Sequence, residues 1–323
     1  MLKKLSTSAA PAAALVVAAV AAAVLTPGSA AAVPAPLGNA RIAAHFDLAK
    51  GQTPENIALT PRGTAYVTFA QARQIAEVSP GGATRILATL PEPADGGVHT
   101  PVLGFPLTSG IVRDHDGTLY FLYATGTPDL TGVWRLRAGG EPQRIAALPA
   151  DGLPNGLALD PRTRTLYVAD SALGTVWSLP VTGGTPTAWS TAPELSSTGF
   201  LGANGLKIHK GAVWVTNLDR GTVLRIPIRH DGRAGSVRTK AAGLTGIDDF
   251  AFTGHGDQLL AALDGPSEVA LVQPDGSRSI VLNSADGLQN PTSIALRGHT
   301  VYVLSAGWIT AKDPNLILAH LDD

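Results

Sequence analysis

Six side chains occupy one position in six similar stretches of this chain. They are Glu55 in "PENIALTPRGTAYVTFA", Ser109 in "LTSGIVRDHDGTLYFLYA", Asn155 in "LPNGLALDPRTRTLYVADS", Asn204 in "GANGLKIHKGAVWVTNLD", Asp248 in "GIDDFAFTGHGDQLLAALD" and Thr292 in "NPTSIALRGHTVYVLSAG". Every one of them carries oxygen, as carboxylate, carboxamide or hydroxyl. Brought together, such groups suit a hard divalent cation, which takes six or more oxygen ligands. Glu55 and Asp248 would offset its charge. The chain has no Cys, and no His falls at this position, so a softer metal is less favoured. Two carboxylates facing each other in a narrow space also need a cation, a proton or an Arg between them. Taken singly, each Asn ahead of a strand has a plainer use, the capping of nearby backbone groups.

What would bring the six together is the repeat itself. Each stretch reads as a short apolar strand, a turn rich in Gly, Asp or His, and a second β-branched or aromatic strand. A third follows in "QIAEVSP", "GVWRLRA", "TVWSLPV", "TVLRIPI", "EVALVQP" and "NLILAHL", and a fourth in "TRILATL", "QRIAALP" and "PTAWSTA". The six positions are 54, 46, 49, 44 and 44 residues apart. Four antiparallel strands at such a period describe the blade of a β-propeller. The sequence therefore predicts an all-β, six-bladed β-propeller in a single domain, residues 40–323. Its last copy ends after three strands, and "ARIAAHFDL" at Ala40–Leu48 supplies the missing one, which removes an exposed edge.

In a propeller the innermost strands surround a central channel, and the loops that lead into them open on one rim. The six oxygen-bearing residues should meet there. Gly156 and Gly205, lacking Cβ, allow backbones to crowd near the axis. The ends of the second strands, Asp170, Asn217 and Asp264, should reach the same rim, either beside a substrate or as ordinary turn residues.

The opening segment has a different character. Lys3 and Lys4 precede an apolar run from Ala12 to Leu25, a break at Pro27-Gly28 and the small residues Ala30–Ala32. That is the three-part pattern of a secretory signal, with cleavage near Ala32–Val33. Its 14 apolar residues fall short of the ~20 that span a bilayer. The expected organisation is a signal peptide over 1–32, a short linker over 33–39 and the propeller, giving a secreted protein with no membrane anchor after cleavage. An exported chain without Cys has no disulfide framework. Lys and Arg number 24 against 25 Asp and Glu, so the basic excess of a nucleic-acid partner is absent.

The six units, and the ring Glu55, Asn155, Asn204 and Asp248, resemble the gluconolactonase/regucalcin (SMP-30-like) family over nearly the whole mature chain. "PNGLALD" and "ANGLKI" are similar to that family's Asn-Gly strand entrances, and "GIDDFAF" to its Asp-Gly entrance, with Asp249 in place of Gly. The resemblance implies one divalent metal in the channel, Ca²⁺ first, with Mg²⁺, Mn²⁺ or Zn²⁺ as alternatives. It implies Glu55, Asn204 and Asp248 as metal ligands, Asn155 on metal-bound water or substrate, and Asp248 near the attacking water as base. The activity it implies is hydrolysis of a lactone. Ser109 and Thr292 complete the ring as substrate or supporting residues. Where sugar-lactone members carry an Arg two residues before the blade-three Asn, this chain has Leu153. Leu103, Phe105, Leu148, Phe200 and Leu201 lie in the surrounding connections, so a lactone or ester less polar than a sugar lactone is expected.

Other chemistries find less support. No G-x-S-x-G elbow stands between a strand and a helix. No glycine loop precedes a helix to cradle phosphate. His115, His209, His255 and His299 fall at turns expected on the opposite rim, while His99 sits in a long connection that could overhang the site. A propeller fold does not fix function. The main rival reading is a non-catalytic binding propeller with a structural divalent ion, and a metal propeller acting on phosphotriesters is a third.

Overall fold

The computed structural model describes residues 36–322; the expected signal peptide and the start of the linker lie outside them. The first strand of the described residues is β1 (Leu37–His45). Blade 1 is β2 (Pro54–Leu59), β3 (Ala65–Phe69), β4 (Gln74–Val78) and β5 (Thr84–Thr89). Blade 2 is β6 (Leu107–Arg113), β7 (Leu119–Ala124), β8 (Gly132–Leu136) and β9 (Gln143–Ala147). Blade 3 is β10 (Pro154–Asp160), β11 (Thr165–Asp170), β12 (Thr175–Pro180) and β13 (Thr187–Ser190). Blade 4 is β14 (Ala203–His209), β15 (Ala212–Asn217), β16 (Thr222–Pro227) and β17 (Arg238–Ala241). Blade 5 is β18 (Ile247–Phe252), β19 (Leu259–Leu263), β20 (Glu268–Val272) and β21 (Arg278–Leu282). Blade 6 holds β22 (Pro291–Arg297), β23 (Thr300–Ser305) and β24 (Asn315–Leu321).

Each blade is one four-stranded sheet with its first strand innermost. Blade 6 takes its outer strand from the other end of the chain, because β1 pairs antiparallel with β24 from Leu37↔Leu321 to His45↔Asn315. The closing strand thus begins three residues before the Ala40 expected and takes in the end of the linker.

Near-continuous apolar runs, such as LYFLYA in β7 and LLAAL in β19, give each sheet two apolar faces, and a neighbouring sheet covers each of them. Six apolar clusters fill the six gaps between consecutive blades. The gap between blades 4 and 5, for example, holds Trp214, Phe250 and Leu263. Full burial of one such side chain stabilises by roughly 1.5–3 kcal/mol. A seventh cluster, with Leu107, Leu153 and Leu201, lies at the rim where the inner strands begin, and Leu103, Phe105, Leu218 and Trp308 pack on it. This rim is called the upper mouth below. Among the described residues no helix is long and apolar enough to cross a membrane.

All six inner strands carry one extra residue against their partners near their starts. The irregularities fall between Pro54 and Asn56, Thr108 and Ile111, Pro154 and Leu157, Ala203 and Leu206, Ile247 and Phe250, and Pro291 and Ser293. A β-bulge leaves the extra residue out of the ladder and re-aims its side chain. Each bulge contains or adjoins the oxygen-bearing position picked out by the repeat.

Candidate functional site

The bulges bring four of the six ring residues to one place. Glu55, Asn155, Asn204 and Asp248 line a single cavity of about 230 Å³ at the upper mouth, joined there by Asp264. All four ring residues are buried. In three blades a glycine follows the ring residue, and its use is space rather than backbone freedom. A Cβ on Gly156 would stand 2.1 Å from the Asn204 carbonyl oxygen, and one on Gly205 would stand 2.7 Å from that of Asp248. Gly110 meets the Asn155 carbonyl in the same way, at 2.5 Å. The Asn-Gly pair before a strand is therefore a packing device: Asn faces the channel while Gly admits the next inner strand.

The other two ring residues do not reach the cavity. Ser109 Oγ donates to the Pro154 carbonyl at 2.8 Å, and Thr292 Oγ1 to the Pro54 carbonyl at 2.9 Å. Each hydroxyl ties its blade to the next one just ahead of that blade's ring residue. Both were expected as substrate or supporting residues, and both hydroxyls are taken up by this inter-blade bond, because a short hydroxyl beside a buried carbonyl satisfies it.

The second-strand ends part company as well. The Asp170 carboxylate accepts backbone N–H bonds from Leu153, Ala172 and Leu173, and one from the Trp177 indole. Asn217 donates to the Glu194 and Ser196 carbonyls and accepts from the Arg220 N–H. Both hold turns together and neither lines the cavity. Asp264 differs: its Oδ1 is buried with no hydrogen-bond partner, and it faces the cavity. Register explains the difference. Asp170 and Asn217 pair with Pro154 and Ala203, each one residue ahead of its ring residue, whereas Ile247 pairs with Leu263, so Asp264 lies one position further on, at the place of Leu218, which also lines the cavity.

Glu55 Oε2 and Asn204 Oδ1 are likewise buried without partners. Three unsatisfied oxygens around one small space are costly unless something fills it, since an unpaired buried polar group loses ~1–3 kcal/mol. The carboxylates feel this. Burial, then repulsion from Asp264, pushes Glu55 up to about 8, while the Trp308 indole N–H pulls the other way. Asp248 is raised by burial and then by Glu55. Burial alone lifts Asp264 to about 7.

The donor set is oxygen only, which suits a hard cation. Among the described residues no group of three or more His, Cys, Asp or Glu side chains is arranged to hold a metal ion. The carboxylates do not form such a site by themselves, and a cation here would depend on the Asn204 carboxamide to complete its protein ligands.

Above the acidic floor the wall is apolar. Leu103, Phe105, Phe200 and Leu201 line the cavity as expected, and Leu107, Leu218, Trp308 and Ile309 join them. Trp308 lies in the loop after β23, on the rim where second strands end. Leu148 and Leu153 are instead buried in apolar clusters and do not line the cavity. His99 bonds to Asp95 at 2.8 Å and is also absent from the cavity wall. His115 lines the opposite mouth of the channel.

The sequence matches no protein-family model and no curated protein. Solved structures share the fold. A calcium-binding regucalcin from Agrobacterium tumefaciens superposes with a TM-score of 0.63 at 16% identity, over 88% of this chain and 96% of the other. A gluconolactonase from Xanthomonas campestris gives 0.59 at 14% identity, over 84% and 86%. A chain of a nidogen/laminin complex gives 0.56 at 19% identity, over 81% and 100%. At these identities the likeness establishes the six-bladed propeller, a fold shared by enzymes and by proteins that bind other proteins.

Proposed function

We propose that this protein is an exported binding propeller whose upper cup holds a divalent cation, Ca²⁺ first, and seats a compact and largely apolar molecule over it. One observation carries this reading. Glu55 Oε2, Asn204 Oδ1 and Asp264 Oδ1 are orphaned, buried oxygens around one 230 Å³ cavity with an apolar wall. Glu55, Asn204 and Asp248 would hold the cation, and its charge would offset the burial and then the repulsion that keep protons on this floor. Leu103, Phe105, Phe200 and Trp308 would take the body of the ligand, leaving a carbonyl or ester oxygen to face the floor. The calcium-binding fold relative is consistent with such a donor set.

Hydrolysis of a lactone or ester is the second reading, and a specific observation favours it. Asp264, with a pKa of about 7, is suited to exchanging a proton near neutral pH and faces the same cavity as Asn155. The bound cation would supply Lewis-acid polarisation of the ester carbonyl. Asn155 would orient a water, and Asp264 Oδ1 would take its proton. Asp248, as a cation ligand, is the weaker base of the two.

Calorimetry of the metal-stripped chain with Ca²⁺, Mg²⁺, Mn²⁺ and Zn²⁺ separately, followed by a lactone and aryl-ester panel, tests both readings. Cation binding that Glu55→Gln abolishes, with no turnover, supports the binding propeller. Turnover that a chelator and Asp264→Asn both remove, in folded protein, moves the conclusion to the hydrolase. If no divalent ion binds, both readings fall.

A further inference from the structure

The channel does not run clear through the molecule. Where Gly110, Gly156 and Gly205 follow the ring residues of blades 2, 3 and 4, the other blades place Asn56, Asp249 and Ser293. These polar residues meet on the axis. Asp249, which is 1% exposed, accepts a 2.6 Å bond from Ser293 Oγ and a 3.4 Å bond from Asn56 Nδ2. Lys207 Nζ donates to both of its carboxylate oxygens at 2.7 Å. Four blades are tied through one carboxylate. Above this plug lies the acidic cup; below it lies a separate cavity of about 470 Å³ that shares no lining residue with the first.

The lower cavity is lined by the later halves of all six inner strands, and its character is the reverse of the upper one. Among the described residues no Lys, Arg or His lines the acidic cup, whereas Lys207, Arg113 and His115 line the lower cavity. Its one lining carboxylate, Asp114, is already paired with Arg164 at 2.7 Å and with His115 at 2.7 Å. Two cationic donors remain. An ammonium has three N–H groups and Asp249 takes two, so Lys207, with a side chain 26% exposed, keeps one. Arg113 Nε is buried without a hydrogen-bond partner. Leu59, Val112, Ile208, Phe252 and Leu296 are partly exposed around these donors and make the wall apolar. The inner strands are also the edges of their sheets, and an edge presents unpaired backbone N–H groups.

We propose that the lower mouth is a second ligand site, for a compact apolar molecule bearing one carboxylate, with Lys207 and Arg113 as its anchors. A neutral ligand would leave both donors unanswered. Counting Lys207, Arg113 and Arg164 against Asp249 and Asp114 leaves a single surplus positive charge, which suits a monoanion better than a phosphate dianion. The apolar wall accounts for the rest of the ligand, since burying it there removes hydrocarbon from water.

Calorimetry on the full folded chain with 4-phenylbutyrate, and with its neutral amide as the paired probe, tests the site. The acid is expected to bind at least tenfold more tightly than the amide. Arg113→Met, which leaves the Lys207–Asp249 pair intact, should lose that tenfold preference. So should the double variant Lys207→Met/Asp249→Asn, built so that no carboxylate is stranded in the plug. Trp308→Ala in the upper cup, and added Ca²⁺, should leave the affinity within about twofold. Equal affinity for acid and amide, unchanged affinity in both lower-mouth variants, competition by Ca²⁺, or no binding of either probe would each overturn the proposal.

Discussion

The indole of Trp308 stacks on the ring of Phe105, with centroids 5.5 Å apart and planes 18° apart. Trp308 follows the second strand of the last blade, and Phe105 lies in the connection between the first two, so the contact spans the closure of the ring. Both rings line the acidic cup. Of the five tryptophans, Trp308 alone does so. Filling the cup should change the protein's intrinsic fluorescence, and Trp308→Phe should abolish that change. Trp308→Phe keeps an aromatic surface on Phe105 but loses the N–H beside Glu55, whereas Trp308→Ala loses both. Ligand affinity is expected to fall further in the Ala variant, by roughly the 0.5–1.5 kcal/mol that an aromatic pair contributes.

Neutralising the floor should pull stability and binding in opposite directions. These carboxylates repel: after burial itself, Glu55 raises the pKa of Asp248, and Asp264 raises that of Glu55. Glu55→Gln or Asp248→Asn removes one side of that repulsion, so the cation-free protein should melt at a higher temperature than wild type. The same variants should lose the rise in melting temperature that Ca²⁺ gives wild type. That rise corresponds to ~2.7 kcal/mol at a hundred times Kd. A thermal melt with and without Ca²⁺ reads both effects.

The pH dependence follows from the direction of these shifts. Glu55 stands near 8 against an ordinary 4.5, and Asp264 near 7 against 3.8. A carboxylate whose pKa is raised in the folded state holds its proton there more tightly than when unfolded. Its contribution is fully present below the unfolded pKa and is lost as pH rises through the folded one. Without a divalent ion, the melting temperature should therefore decline between about pH 4 and pH 8. A bound cation replaces the protons, so saturating Ca²⁺ should flatten the decline and its affinity should rise across the same window.

The propeller and the ring positions were legible because a repeat lets one structural position be seen six times. The apolar strands of each repeat likewise imply sheet faces that neighbouring blades must cover. What could not be read was the bulge at each inner strand, since it exists only in the register between two strands. Without it the fates of Ser109 and Thr292 were hidden. They sit at the same position as Glu55 and Asp248, yet the nearest partners for their short side chains are carbonyls of the adjacent blade. Asp170 and Asp264 show the same limit. Both are Asp at the end of a second strand, but the register sets Asp264 one position beyond the place that Asp170 takes in its own blade. Lys207 and Asp249 were opaque for another reason, as they pair between the neighbouring blades 4 and 5, far apart in sequence.

That difference between the two aspartates is itself testable. Asp170→Ala would leave the N–H groups of Leu153, Ala172 and Leu173 and the Trp177 indole without their acceptor. At ~1–3 kcal/mol for each group left buried and unpaired, destabilisation of at least about 2 kcal/mol is expected. Cation affinity should change little in the protein that remains folded. Asp264→Asn should do the reverse, keeping the fold while weakening whatever the cup binds. Denaturant melts beside calorimetry separate the two.

The glycines after Asn155 and Asn204 give the last prediction. Neither has a positive φ, so alanine is not excluded by backbone conformation. It is excluded by space. A methyl group at position 156 would stand 2.1 Å from the Asn204 carbonyl oxygen and 2.9 Å from the Leu206 nitrogen. Both are backbone atoms of the next inner strand and cannot swing aside as a side chain would. Gly156→Ala must move blade 3 away from blade 4, at a cost of ~1–3 kcal/mol for overpacking. It would also carry Asn155 away from Asn204, so cation binding should weaken along with stability. An alanine at Gly211, where nothing lies within 4 Å of the built Cβ, tests whether contact or conformation dominates. There φ is +68°, and the loss should be of stability alone. If Gly156→Ala binds the cation as wild type does, the close approach of these two strands does not set the geometry of the cup.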